Sequence, residues 1–470
     1  MLELYPPAEP PAFLTVHTAA LFMVLIVLFL CTLVLRCARR QAYSPLLRPH
    51  GFLMAALLFV FVLAATVLMA GPRAPVLADW ICGEALGITL SLLNPTAAVS
   101  FFSANLFLRP WEMVPQNPLF ATLPKGLAAL ALVSWLWHGV RHRRVYLVFD
   151  PSLFLLLLFV IWLFFADFAA GNPHQGWPYL AELMLPALVL TFLVINTVHS
   201  RLELDMLCGS VAISATGLIC SALVQTYQAH GGGRLQMFGL LGNSNDLAAV
   251  VVLTLPFLYH LFLRHKPFGL RFMFGIIATA VMLYALWLSQ SRGARLALLL
   301  GIAGHLLFCI RLTLRKVIFT AVAAGILIPI FMSGFREKTD LSASTQARLN
   351  YVVTGWRMVQ NHPFLGVGVG NYPKLYERFT PSLAEHGERT AHSSWVLVMA
   401  ESGLPGLFLF GMLCLSALLK SWQLRHAYPG AFLATISYGV SLTFLSHTYL
   451  FLPYLMLGII IAARVCRHES

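Results

Sequence analysis

The chain has 470 residues, of which 59% are hydrophobic and 10% charged, with a mean hydropathy of +0.79. Soluble domains carry roughly 25% charged residues, so this composition excludes a soluble globular protein, and a disordered or disulfide-framed one as well. The 31 Lys+Arg against 18 Asp+Glu give a net charge of +13. Alongside recurring apolar runs of membrane-spanning length, that excess reads as loops held at the cytoplasmic face and not as a nucleic-acid surface.

In chain order, the first apolar run is Val16 to Leu35. It has no basic region before it and no cleavage-like site after it, so it reads as a retained anchor. Arg36, Arg39, Arg40 and Arg48 follow. Further runs lie near 51–70, 119–138, 152–170, 180–198, 204–226, 246–263, 270–289, 295–310, 317–334, 394–419, 429–447 and 450–464. The stretch 76–110 is apolar but broken by Asn94-Pro95, which predicts a tight helical hairpin or a re-entrant pair. The chain is thus expected to be an all-α polytopic membrane protein with about 13–15 transmembrane helices. The eight cysteines show no C-x-x-C spacing and mostly fall inside these runs, where Cys behaves as a small hydrophobe. No disulfide and no metal site are expected.

Most of the basic residues fall in alternate short loops, which places the N-terminus outside. One long outer segment, about 60 residues between Met332 and Ser393, interrupts the pattern. Within it, Ala347 to Trp356 carries apolar residues at helical spacing, whereas Leu365-Gly-Val-Gly-Val-Gly-Asn-Tyr372 reads as a shaped loop. The expected organisation is a hydrophobic N-terminal module over 1–115, a membrane core over 116–334, a loop over 335–393 and membrane helices over 394–470.

Four outer features can carry chemistry. They are His230-Gly-Gly-Gly-Arg234 with Asn243-Ser-Asn245-Asp246; Ser289-Gln-Ser-Arg292-Gly-Ala-Arg295; Arg348 with Trp356; and Ala391-His392-Ser-Ser-Trp395 with Glu401 and Gly403. Arginine at a span edge is costly unless it pairs, snorkels or faces water. Arg292 and Arg295 share a helical face, and no acidic residue lies near them in sequence. Several arginines with little Asp or Glu suit an anion, and guanidinium forks match phosphate oxygens. His392 stands at a helix start among these arginines, where neighbouring positive charge is expected to keep it neutral and able to take a proton. Taken singly each feature has a plainer reading: a snorkelling Arg, a His or Asn that caps a helix, a flexible glycine turn, a Glu bonded between helices.

The order of these motifs resembles the O-antigen ligase / O-antigen polymerase superfamily. The resemblance is carried by Arg234 leading to Gly-Asn-Ser-Asn-Asp, then Ser-Arg-Gly-Ala-Arg, Arg348 with Trp356, Leu-Gly-Val-Gly-Val-Gly-Asn-Tyr, and His392-Ser-Ser-Trp with Glu401 and Gly403 to Gly406. It covers about 230–410; Asn105 to Glu112 is weakly similar to a first-half Arg-Pro element, and the N-terminal third matches no motif. It implies a GT-C-like bacterial inner-membrane glycosyltransferase needing no cofactor or metal. Such an enzyme takes a glycan from undecaprenyl pyrophosphate at the periplasmic face. The acceptor hydroxyl belongs to lipid A-core, another glycan or a protein. Carried onto this chain, it implies pyrophosphate binding by Arg292 and Arg348 with Arg295 and Arg234, His392 as catalytic base, and support from Asn243, Asn245 and Glu401. The chain departs from the family where Asn243-Ser244-Asn245 replaces an Asn-Pro-Asn and His392-Ser393 a His-Asn. The alternative is a transporter or flippase of a lipid-linked anionic sugar; the absence of an internal repeat and the clustering of arginines at one edge favour the enzyme.

Overall fold

A computed structural model describes residues 13–40, 59–60, 63, 78–113, 118–143, 145, 147–171, 173–230, 232–263, 269–309, 338–381 and 387–468. In chain order the helices are α1 (Phe13–Arg40), α2 (Ala78–Leu93), α3 (Pro95–Leu108), α4 (Pro110–Met113), α5 (Pro118–Arg141) and α6 (Pro151–Ala169). Next come α7 (Pro173–Pro178), a π-turn at Tyr179–Met184, α8 (Leu185–Thr197), α9 (Arg201–His230), α10 (Ser244–Leu258) and α11 (Leu270–Leu288). The last are α12 (Arg292–Cys309), α13 (Lys338–Asn361), α14 (Tyr372–Phe379), α15 (Ser394–Leu424), α16 (Pro429–Ser441) and α17 (Phe451–His468). The protein is an all-α polytopic membrane protein. Among the described residues, 8 helical stretches are long and apolar enough to cross a bilayer: Leu14–Arg36, Pro151–Ala169, Gln175–Thr197, Arg201–Gln228, Ser244–Phe262, Leu270–Leu288, Arg292–Cys309 and Ser394–Leu424. The spans expected at 51–70 and 317–334 lie essentially outside the described residues.

One expected break is present, and one expected span is not continuous. Asn94 does break the 76–110 stretch: its side chain caps α3 by accepting from the Ala97 amide, and α2 and α3 form the expected hairpin. The run 429–447, however, is not one span. Its helix α16 stops at Ser441, and 442–450 forms an irregular segment of turns before α17. That segment is held by hydrogen bonds to the start of α15, which hydropathy cannot register.

The chain forms two compact units. One comprises Phe149–Thr191 and Gln290–Ile460; the other comprises Pro7–Val148, Phe192–Ser289 and Ile461–Ser470. In the second, α9 is the central helix, largely buried and packed on α1, α3 and α10. Gly209 and Gly217, two turns apart on one face of α9, admit Phe29 and Phe22 of α1; a Cβ there would stand 2.3 and 2.5 Å from those side chains. Small residues at such spacing let helices approach closely in a bilayer, where apolar burial gives no drive. In the first unit, Gly301 and Gly304 of α12 do the same against Ser437 and Ile436 of α16. Helix α6 runs antiparallel to α15, tied by Phe159 on Phe410 (5.8 Å between centroids) and by Trp162 Nε1 donating to the Ser402 carbonyl (2.8 Å). At one end of this pair, Asp150 caps α6 through the Ser152 amide and forms an ion pair with Lys420.

Candidate functional site

The first unit brings two of the predicted arginines and the histidine together. Arg292 opens α12 after a tight turn in which Gln290 takes a left-handed φ of 54°. Arg295, one turn on, is only 1% exposed, so it is a buried cation and not a snorkelling one. Arg348, on α13, lies over the Phe444 ring at 5.6 Å. Burial, and secondarily the positive charge of Arg292, push the Arg348 guanidinium below its ordinary pKa. Among the described residues no carboxylate pairs with Arg348. A half-buried guanidinium with no carboxylate beside it and a second positive charge acting on it is a group whose cost an anion would relieve.

Phe444 was not singled out from the sequence. It belongs to the irregular segment 442–450, and a Cβ on Gly293 would stand 3.0 Å from its ring, so the same aromatic touches the start of α12 and Arg348. Ser394 fixes the segment at several points. The Ser394 amide donates to the Leu442 carbonyl (2.9 Å) and its hydroxyl to the Leu445 carbonyl (2.6 Å). The His447 amide donates to the Ser394 hydroxyl (2.9 Å) and the Thr448 hydroxyl to the Ser394 carbonyl (3.0 Å). The only sequence signal was the pair of serines beside His392.

His392 directly precedes the N-cap Ser393 of α15 and has a left-handed φ of 47°. Among non-glycine residues His, Asn and Asp tolerate that conformation best. Its ring lies 5.3 Å from that of Tyr351, one turn after Arg348 on α13, and its Nε2 is 3.2 Å from the Thr390 hydroxyl. Tyr351 is held in turn: its carbonyl accepts from the Tyr372 hydroxyl (2.7 Å) and its ring meets Tyr376 at 5.7 Å. Arg348 and the tyrosine against His392 thus share one helix, and Gly355 fits that helix against Val396 of α15.

Glu401 stands apart from the arginines. Fully buried in α15, it accepts from the Tyr372 amide (2.9 Å), the Tyr449 hydroxyl (2.6 Å) and the Gly370 amide. It anchors the glycine loop. Gly366, Gly368 and Gly370 all have positive φ, and the Val367 and Gly368 amides donate to the carbonyls of Ala400 and Glu401 (2.9 and 3.0 Å). Gly403 interrupts α15 with φ 71° and ψ −172°, a conformation essentially reserved for glycine. Asp167 of α6, buried and unremarked in the sequence reading, accepts from the Val369 amide at the other side of the same loop. Its signal was available: a lone carboxylate near the end of an apolar span.

The remaining predicted residues lie in the other unit. Arg234 donates through Nε to the Ser289 carbonyl (2.8 Å) and through Nη2 to Asn245 Oδ1 (3.2 Å). Asn243 caps α10, accepting from the Asn245 amide (2.9 Å). Nearby, Arg109 pairs with Glu112 (2.6 Å), and Glu112 accepts from the Leu240 amide (3.2 Å) and fills the space a Cβ on Gly239 would need. The Arg-Pro-Trp-Glu element therefore supports the loop that leads to Asn243. Among the described residues no cluster of three or more His, Cys, Asp or Glu is placed to hold a metal ion.

Fold and site define a class: a polytopic helical membrane protein with a guanidinium pair and a histidine gathered at the ends of its spans. Residues 277–411 match the family model described as O-antigen ligase, and residues 111–266 match a family of unknown function (DUF5935). No curated protein matches the chain. The match over residues 277–411 supports the O-antigen ligase / polymerase assignment that the motifs suggested. That match contains Arg292, Arg295, Arg348, His392 and Glu401, whereas Arg234, Asn243 and Asn245 fall in the second family's stretch. It supports, in general terms, a membrane glycosyltransferase of the O-antigen ligase type.

Proposed function

We propose that this protein transfers a glycan from undecaprenyl pyrophosphate to an acceptor hydroxyl at the periplasmic face of the bacterial inner membrane, in surface-polysaccharide assembly. The observation that carries the reading is Arg348, half-buried with the charge of Arg292 acting on it and no carboxylate beside it among the described residues, on the helix whose Tyr351 meets His392. Arg292 and Arg348 grip the donor pyrophosphate and stabilise the charge that develops on it as the glycosyl–oxygen bond breaks. His392 takes the proton of the attacking hydroxyl, so the new glycosidic bond forms as pyrophosphate leaves. Arg295 adds positive field within the same unit, and Glu401 fixes its glycine loop. In this scheme the guanidiniums do the work a divalent cation does elsewhere, and transfer by the purified protein continues in EDTA.

The test is transfer from a lipid-linked glycan donor to lipid A-core or glycan acceptor in membranes carrying Arg348→Ala. Loss of product with the donor left intact supports the reading. Wild-type transfer by that variant removes Arg348 from the chemistry, and donor moved across the membrane with its pyrophosphate linkage intact makes the protein a transporter.

A further inference from the structure

Helices α13 and α15 run side by side in the same direction. Tyr351 meets His392, Gly355 meets Val396, and the Pro363 carbonyl accepts from the Leu404 amide (2.9 Å), so contacts advance in step along both. The turn after α13 therefore lies level with Gly403, where a Cβ would stand 2.2 Å from the Phe364 carbonyl oxygen. The side chain of Phe364 is 73% exposed.

That level can be placed against α6. Trp162 of α6 donates to the Ser402 carbonyl, so Phe364 is level with Trp162. The exposed apolar stripe of α6, Phe154, Leu158, Ile161, Phe165 and Phe168, continues for well over a turn beyond Trp162. On α15 a matching stripe of exposed Leu404, Phe408, Met412, Leu415 and Leu419 starts beside Phe364. Exposed apolar stripes along spans of this length face lipid. Phe364 extends the α15 stripe and lies within the length of the α6 stripe. Trp356, exposed two turns earlier on α13, falls at the level of Val396, near the end of the α6 stripe, where interfacial aromatic residues collect.

We propose that the turn at 362–365 is inserted into the bilayer, with Phe364 among phospholipid acyl chains and Trp356 at the headgroup boundary, so that the glycine loop is anchored to lipid as well as to Glu401. The occupant is acyl chain because the surface on both flanking helices is already lipid-facing and the stripe is continuous.

The experiment places a nitroxide label at Phe364→Cys, Trp356→Cys or Glu377→Cys in a variant whose native cysteines are replaced, in phospholipid vesicles without donor. Collision with oxygen and with a water-soluble nickel chelate is then compared. At 364, oxygen contact should exceed nickel contact several-fold; at exposed Glu377 on α14 the order should reverse, with 356 between. Nickel access at 364 equal to that at 377 overturns the proposal, as does exclusion of both reagents, which would mean that protein covers the site. If the cysteine-free chain does not fold, benzoylphenylalanine at 364 in the native background replaces it: a phospholipid adduct supports insertion, and a purely protein adduct overturns it. None of these readouts depends on glycan transfer, so the result stands or falls separately from the enzymatic reading.

Discussion

Gly403→Ala probes the joint between α15 and the glycine loop. The position has φ 71° and ψ −172°, and a new Cβ would stand 2.2 Å from the Phe364 carbonyl oxygen and 2.8 Å from that of Pro363. Backbone strain in this region costs about 1–3 kcal/mol, and forcing an added methyl into a filled space typically about 1–3 kcal/mol more, giving roughly 2–6 kcal/mol in all. The clashing atoms are backbone, so no side-chain rotation relieves them. The Pro363–Leu404 hydrogen bond and the seat of the Gly366 turn on Glu401 should both yield. Thermal unfolding of the detergent-purified protein should show a fall of about 2–6 °C, at about 1 °C per kcal/mol for a chain of 470 residues. The control is Gly439→Ala in α16, where a Cβ meets nothing within 4 Å and φ is not positive. There the better helix propensity of Ala, up to about 1 kcal/mol, leaves stability unchanged or raised. If Gly403→Ala and Gly439→Ala melted alike, the account of the kink as a glycine-only joint would be wrong.

Arg348→Lys should lose most transfer activity, since an ammonium cannot make the two-pronged contact, and Arg292→Ala should behave alike; product formation in a membrane assay decides it. His392→Asn keeps a residue suited to φ 47° but removes the base, so turnover should fall about 10²–10⁴-fold with donor binding little changed. Near-wild-type turnover in His392→Gln would reduce the histidine to a positioning residue, and a rate that rises with pH through a single ionisation in the wild type supports the base. Asp150→Asn removes the carboxylate paired with the largely buried Lys420 and should cost about 3–5 kcal/mol, most of it recovered in Asp150→Asn/Lys420→Met; paired thermal melts measure both. Burial raises the Asp150 pKa, but the Lys420 hydrogen bond and charge outweigh it and hold the carboxyl below its ordinary 3.8. The stabilisation from the pair is therefore full above that ordinary value and is lost as pH falls through the lower folded-state value. A wild-type melting point that did not fall in that acid range more steeply than that of Asp150→Asn would contradict it.

Composition and run length were enough to determine a helical membrane protein, because a hydrocarbon slab demands apolar stretches of one length whatever their tertiary partners. The residue chemistry of the candidate site was legible for a related reason. Arginine and histidine at span edges are costly, so Arg292, Arg348 and His392 stood out against an apolar background, as did the glycine run 366–370 that no helix tolerates. Local breaks were legible too: Asn94-Pro95 splits a helix by its own backbone and capping chemistry.

What only the tertiary structure decided were contacts between residues distant in sequence. Phe444 looked like one more apolar residue in a span expected over 429–447. Ser394, about fifty residues away in sequence, ties down the segment that ends that helix early and brings the ring to Gly293 and Arg348. Nothing in the sequence connects Asp167 with Glu401; only the fold shows both accepting amides of one loop. Arg292 and Arg295 share a helical face in sequence, yet Arg295 is buried while Arg292 stands near Arg348, because helix packing and not periodicity determines which guanidinium is covered. Hydropathy and spacing are sums over neighbours along the chain. The site is made of pairings across it.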